Sequence, residues 1–119
     1  MLEGKPRFLV KLYLELEMSL KTFGDVELVA RDRYALFRTT RIFADLVFMS
    51  DALRLAIRLD REVVDSLFFK VQRGSDRRVA HVAKLRSVAQ VHFVKPYLEE
   101  AYRFSRSEQA EIGASEAKA

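Results

Sequence analysis

The sequence contains no cysteine, which excludes disulfides, thiolate nucleophiles, thiolate zinc sites and cysteine-ligated iron–sulfur clusters. Only two histidines, His81 and His92, remain for metal or base chemistry, and they fall on different predicted elements with no His-x-x-x-His spacing. A zinc site would need carboxylates brought to them by folding. We therefore predict no metal site.

Glycine is equally scarce, and the four glycines stand too far apart for a P-loop, a dinucleotide fingerprint or the glycine elbow of a serine hydrolase. No Glu-x-Lys follows Asp25 and Glu27 on the next predicted strands, as a metal-dependent nuclease would require. Asp45 lies among arginines, which should keep it ionised and make it a poor proton donor for glycosidase chemistry. We predict no cofactor and favour a protein that is not an enzyme.

Long apolar runs are also missing. The longest uncharged stretch is the eight residues 87–94, far below the roughly 20 needed to cross a bilayer. Lys11 and Glu15 interrupt the only apolar segment near the N-terminus, so it does not resemble a signal peptide. We expect a cytoplasmic protein that does not associate with membranes.

The 119 residues suit one domain, half of them apolar and about a third charged. The net charge is +4, but residues 107–119 carry −2, which leaves +6 on residues 1–106. This excess permits anionic partners without requiring them. We predict a single domain over residues 1–106 and, over residues 107–119, a disordered polar tail or a frayed helix.

Hydrophobic periodicity predicts one helix followed by a β-meander. Apolar residues recur every three or four positions between residues 6 and 22, and the period changes to two at Val26. If two-residue turns fall at 32–33, 39–40 and 50–51, every facing pair on one side of the sheet is apolar. The predicted pairs are Leu28–Phe37 and Ala30–Ala35, then Phe37–Ile42 and Ala35–Ala44, then Leu46–Leu55 and Phe48–Leu53.

The other side of this sheet combines charges with an apolar strip. One row is predicted to contain Glu27, Arg38, Arg41 and Asp60, and another Arg31, Tyr34, Asp45 and Ala56, with Asp45 diagonal to Arg54 and Arg58. Between them runs a strip of Val29, Leu36, Phe43 and Arg58. We interpret the charges mainly as cross-strand ion pairs, and we expect a helix or a later loop to cover the strip.

The C-terminal half is predicted to add strands near residues 67–71 and 79–85, joined by a turn at 73–76. Ser87 suits an N-cap for a last helix, which is either kinked at Pro96 or begins only near it. The predicted fold class is α+β: an N-terminal helix, an antiparallel meander of four strands extended by one or two more, and a C-terminal helix packed on the sheet.

Four segments resemble a family of small bacterial domains of unknown function, number 5655, over about residues 23–104. They are "VELVARDRYALFRTTRIFADLVF", "LRLAIRLD", "VAHVAKLRSVAQV" and "YLEEAY". The resemblance implies an α+β domain and no established activity. At the start of the last helix, Gln90, His92 and Phe93 replace expected acidic residues, so a family function that depends on those acids is in doubt for this chain.

Two groups of residues are candidate sites. A ligand or interaction site would involve Tyr34, Arg41, Phe43, Arg58 and His81. Contacts to an anion or to nucleic acid would come from the basic loop and its flanks, namely Lys70, Arg73, Arg77, Arg78, Lys84 and Arg86.

Three functional hypotheses follow. The first is a non-catalytic binding or protein-interaction module with an unknown ligand or protein partner, which could form a homodimer through the apolar strip or an edge strand. The second is weak nucleic-acid binding by the basic loop. The third is an enzyme of unknown reaction, which requires Arg58 and His81 to converge in a pocket.

Overall fold

Along the chain, one helix precedes six strands and a second helix follows them. A computed structural model of the protein describes residues 2–74 and 77–118, with side chains described as far as residue 107. The elements are α1 (Arg7–Lys21), β1 (Glu27–Ala30), β2 (Tyr34–Arg38), β3 (Ile42–Phe48), β4 (Leu53–Leu59), β5 (Phe68–Arg73), β6 (Val79–Leu85) and α2 (Val88–Lys118). The predicted α+β class is confirmed.

Helix α1 lies where its periodicity predicts it. Its apolar positions, from Leu9 to Leu20, are buried on one side, and Pro6 immediately precedes its first residue. The chain leaves the helix through Gly24, whose φ of 141° is rarely adopted by residues with a side chain. A β-carbon at Gly24 would also collide with the hydroxyl of Tyr102 on α2. Glycine is therefore required here for two reasons.

The strands form one antiparallel sheet in the order β1-β2-β3-β4-β6-β5. In the first hairpin Leu28 pairs with Phe37, and in the third Leu46 pairs with Leu55, both as predicted. Strands β5 and β6 confirm the two later predicted strands. Part of the predicted turn at 73–76 lies outside the described residues.

The second hairpin differs from its predicted register. Phe37 pairs with Ala44 instead of Ile42, a shift of two residues. The loop has three residues, closed by a 3.1 Å hydrogen bond from Thr39 N–H to the Arg41 carbonyl, because Thr-Thr lacks the glycine that favours a two-residue turn. One extra residue, Phe43, forms a β-bulge in β3. An even shift keeps the rest of the strand on its predicted faces.

Helix α2 begins at Val88, immediately after its cap. The Ser87 hydroxyl accepts a hydrogen bond from Gln90 N–H at 3.2 Å, which confirms the predicted N-cap. Pro96 lies inside the helix, so the alternative start near Pro96 is wrong. The helix continues through residues 107–118, and the division of the chain at residue 106 stays a prediction.

Both helices pack on the same face of the sheet. Their buried side chains form one core with those of the sheet, including Phe37, Leu46, Leu55 and Leu85. Within the described residues no helix lies on the opposite face, so the helical cover expected there is absent, and cover by a later loop stays a prediction. That uncovered face is called the open face below.

Candidate binding surface on the open face of the sheet

The open face is built from alternate residues of all six strands. Its central row crosses the whole sheet through successive register partners, in the order Val29, Leu36, Asp45, Ala56, Val82 and Lys70. Val82 is buried, and the other apolar side chains of this row are half-buried without a helix above them. The apolar strip predicted from the sequence therefore exists, with a different membership.

A second row runs beside it and carries the most exposed aromatic side chains of the open face. Tyr34 pairs with Val47, Val47 with Arg54, and Arg54 with Lys84. The ammonium of Lys84 lies 5.4 Å from the ring centroid of Phe69, which is the extra residue of an irregularity in β5. We call Tyr34, Val47, Arg54, Lys84 and Phe69 the crossing row.

Within the crossing row, two cations face each other without a counter-charge. Arg54 and Lys84 are direct register partners, and in the part of the chain with described side chains neither forms an ion pair with a carboxylate. Like charges directly opposite one another in a sheet are destabilising. The fold therefore tolerates a local cost that an anion placed between the two side chains would remove.

Elsewhere on the open face, two of the predicted ion pairs form, whereas among the described residues Asp45 makes no ion pair with Arg54. Arg38 donates a 2.9 Å hydrogen bond to Glu27, which lowers the pKa of that carboxyl, and Arg58 lies 3.0 Å from Asp45. The Arg38–Glu27 pair is about half exposed, so it contributes little to stability, whereas the side chains of Arg58 and Asp45 are 30% and 27% exposed. These carboxylates nevertheless neutralise Arg38 and Arg58. Three cations on the open face, Arg54, Lys70 and Lys84, have no carboxylate partner among the described residues.

The five residues of the predicted ligand site do not come together. Because of the bulge in β3, the Phe43 ring is on the core side, buried at 1% exposure and 5.8 Å from the Tyr102 ring, so its predicted place on the apolar strip is wrong. Arg41 is half-buried in the loop after β2. Tyr34 and Arg58 are on the open face, whereas His81 is on the core face.

His81 is fully buried and both of its ring nitrogens are engaged. Nε2 accepts a 2.9 Å hydrogen bond from Val63 N–H, so Nδ1 must carry the proton, which it donates to the Val79 carbonyl at 3.0 Å. The ring also makes an edge contact with Phe68. His81 therefore ties the connection between β4 and β5 to the core, and Arg58 lies on the other side of the sheet.

The six cations of the predicted basic loop also separate. Arg77 stacks 5.9 Å from the Phe104 ring of α2, on the helix side of the sheet, and Arg86 lies 3.7 Å from Asp51 in the β3–β4 turn. Arg73 lies 3.8 Å from Glu62, and the Arg78 Nε is buried. Lys84 and Lys70 alone among them belong to the open face, so the loop does not present one continuous basic surface.

Two clefts border the sheet. The larger, about 540 Å³, lies between residues 24–27, residues 38–40 and Arg106, and it mixes acidic with basic side chains. The second, about 380 Å³, lies at the Phe69 end of the crossing row and is lined by Ser66, Leu67, Phe69, Lys84, Arg86 and Gln90. Neither cleft contains Arg58 or His81. The smaller one extends the positively charged end of the open face.

Two kinds of site are not found among the described residues. No three histidine or acidic side chains gather closely enough to hold a metal ion. No helix there has the length and apolar composition needed to cross a membrane.

The fold and this surface together define a small α+β domain with both helices on one face of a six-stranded antiparallel sheet. The chain belongs to the family described as Domain of unknown function (DUF5655), whose family model matches residues 1–105. The resemblance inferred from the sequence is thus confirmed and includes helix α1. No curated protein and no solved structure matches the chain.

Proposed function

We propose that the chain is a non-catalytic binding module, acting in the cytoplasm, and that it binds an anionic partner on the open face of its sheet. The observation that carries the proposal is that Arg54 and Lys84 face each other, without a carboxylate partner or a covering helix among the residues that the structure describes. Other arginines of the open face do have a carboxylate beside them: Arg38 lies next to Glu27, and Arg58 lies next to Asp45. An anionic ligand would supply the missing counter-charge.

A binding role is favoured over a catalytic one by the positions of the candidate acid–base residues. Arg58 is held by Asp45, and His81 is buried with both nitrogens hydrogen-bonded inside the protein. A general base needs a free nitrogen within reach of a substrate. The pair that would have supported an enzyme is thus separated by the sheet.

The test measures binding of a generic polyanion to two variants, each of which loses two positive charges, one on the open face and the other on helix α2. The Arg54→Gln/Lys84→Gln variant removes the facing cations, and the Lys95→Gln/Arg103→Gln variant removes two cations of α2. We expect a fluorescently labelled heparin oligosaccharide to bind the parent chain saturably and more weakly at higher salt. Fluorescence anisotropy should show a large loss of affinity in the first variant and a small one in the second.

Two results would refute the proposal. Equal losses in both variants would mean that heparin responds only to net charge. Failure of the parent chain to bind heparin even at low salt would leave the facing cations without an anionic ligand.

A further inference from the structure

We infer that the open face binds single-stranded nucleic acid, with bases stacked on Tyr34 and Phe69 and phosphates held at Arg54 and Lys84. This inference rests on the proposed function and specifies the anionic partner. It differs from nucleic-acid binding by the basic loop, because of the four side chains named here only Lys84 belongs to the predicted basic set, and the other three do not. The crossing row places the four side chains in one line.

The aromatic side chains at the two ends of the crossing row, Tyr34 and Phe69, would not be needed to bind a generic polyanion. Tyr34 is 43% exposed and Phe69 is 52% exposed, and both rings occur on a face with no helix above it. Aromatic rings on an uncovered sheet are platforms for nucleobases, because every base has a π face and stacking is tolerant of sequence. The aromatic ends thus favour a ligand with flat groups.

The middle of the row suits a phosphate backbone. Arg54 and Lys84 lie between the aromatic ends, and the cleft of about 380 Å³ beside Phe69 adds Arg86 and the hydroxyl of Ser66. Guanidinium and ammonium groups are the usual partners of phosphate oxygens. The row therefore places two adjacent phosphate-binding groups between two base-stacking rings along one path.

The length of the row indicates a polymer. Tyr34 on β2 and Phe69 on β5 are separated by four strand-to-strand intervals, which corresponds to about 19 Å at the usual spacing. A mononucleotide reaches only one end, whereas a short strand reaches both. A duplex offers phosphates but keeps the faces of its bases stacked inside, so it would leave both exposed rings without a contact.

The deciding experiment compares two labelled oligomers with the same phosphate backbone, an oligothymidylate of about 12 nucleotides and an abasic oligomer of equal length. The Tyr34→Leu/Phe69→Leu variant removes both aromatic rings of the row. The Phe8→Leu/Phe93→Leu variant is the matched control, because these rings on α1 and α2 are 46% and 41% exposed. Circular dichroism verifies that each variant is folded.

Anisotropy should show oligothymidylate binding about tenfold more tightly than the abasic oligomer. The Tyr34→Leu/Phe69→Leu variant should lose at least that factor for oligothymidylate and almost nothing for the abasic oligomer, while the control variant matches the parent chain. In a salt titration, Arg54→Gln/Lys84→Gln should lower the slope of log K against log salt by about 1.4, which corresponds to two phosphate contacts.

The inference is overturned if the two oligomers bind equally, if the aromatic variant leaves oligothymidylate binding unchanged, or if a duplex of the same length binds more tightly. In each of these cases heparin binding that depends on Arg54 and Lys84 would still support the proposed function. Loss of binding to heparin and to both oligomers in the parent chain would remove the proposed function as well.

Discussion

Arg54 on β4 and Lys84 on β6 point from the open face as direct register partners, and among the described side chains no carboxylate pairs with either. A binding surface and a stable sheet make opposite demands at this position. The proposed anionic ligand would require two positive charges, whereas the sheet would be more stable with one.

We therefore expect Arg54→Thr to stabilise the protein while weakening anion binding. Removing the repulsion and introducing a β-branched residue should raise the free energy of unfolding by about 0.2–1 kcal/mol. Urea unfolding followed by circular dichroism measures this, and heparin anisotropy measures the loss of affinity. Arg38→Thr is the control, because it breaks the ion pair with Glu27 and should not stabilise. A destabilised Arg54→Thr protein would contradict the expectation.

Gly24→Ala should destabilise the protein through two separable effects. Alanine at a φ of 141° is strained, and its β-carbon would collide with the Tyr102 hydroxyl. We expect a loss of about 1–3 kcal/mol, part of which returns in the Gly24→Ala/Tyr102→Phe double variant because the hydroxyl is gone. Thermal and urea unfolding of the parent chain, the two single variants and the double variant give the coupling free energy between the alanine at position 24 and the Tyr102 hydroxyl.

Gly4→Ala provides the matched control for this cycle. Gly4 also has a positive φ, 76°, but an added β-carbon there meets no atom within 4 Å. Its substitution reports the backbone strain without a collision and should cost less. If the two substitutions lower the free energy of unfolding equally, the contact with Tyr102 is not the reason that glycine is needed at position 24.

The sequence predicted those parts of the fold that depend on short-range patterns. Helix α1 and the first and third hairpins follow from spacing alone, because one slip in register would have exposed every apolar residue of a strand. The second hairpin shows the limit of this reasoning. The longer loop and the bulge each add one residue, so together they shift the register by two, which the alternation of apolar residues cannot detect, and the bulge moved Phe43 from the open face to the core.

The candidate surface was harder to predict because it depends on contacts distant in the sequence. Arg54 and Lys84 face each other only because β6, and not β5, pairs with β4. No local pattern specifies that order. Both Tyr34 and Lys84 were candidate residues, but in separate groups, and Val47, Arg54 and Phe69 were in neither. His81 was a candidate site residue, although a lone histidine on an apolar strand face is more often buried and hydrogen-bonded than a base, and the structure gives it that structural role.

His81→Leu should lower stability because it leaves a buried donor without a partner. The Val63 N–H donates to His81 Nε2 at 2.9 Å, and leucine offers no acceptor. An unsatisfied buried group of this kind costs about 1–3 kcal/mol. The same change at His92, which is exposed and lies 3.6 Å from Glu15, should alter the unfolding free energy by less than about 0.5 kcal/mol. Hydrogen exchange should show faster exchange of the Val63 amide in His81→Leu, and equal stability of the two variants would contradict this assignment.

Alkaline unfolding should be controlled in part by Tyr13. Burial of its hydroxyl, reinforced by the nearby Glu17 carboxylate, raises the pKa of Tyr13 to about 12 from 10.0. The folded state therefore holds this proton where the unfolded state releases it. The stability due to the neutral phenol is complete below pH 10 and is lost as the pH rises from 10 through 12, by at most about 2 to 3 kcal/mol.

Tyr13→Phe isolates this contribution because it keeps the ring and removes the ionisable group. The Tyr13 hydroxyl is buried beside the Glu17 carboxylate but, among the described residues, makes no hydrogen bond of standard geometry. At pH 7 the variant should therefore differ little in stability from the parent chain. Between pH 10 and 12 its urea midpoint should fall less steeply than that of the parent. Tyr34→Phe, at an exposed tyrosine, should leave the slope unchanged. If the urea midpoints of the parent chain and Tyr13→Phe fall in parallel with pH, the Tyr13 hydroxyl ionises equally in the folded and unfolded states. The loss of stability at alkaline pH would then come from other groups.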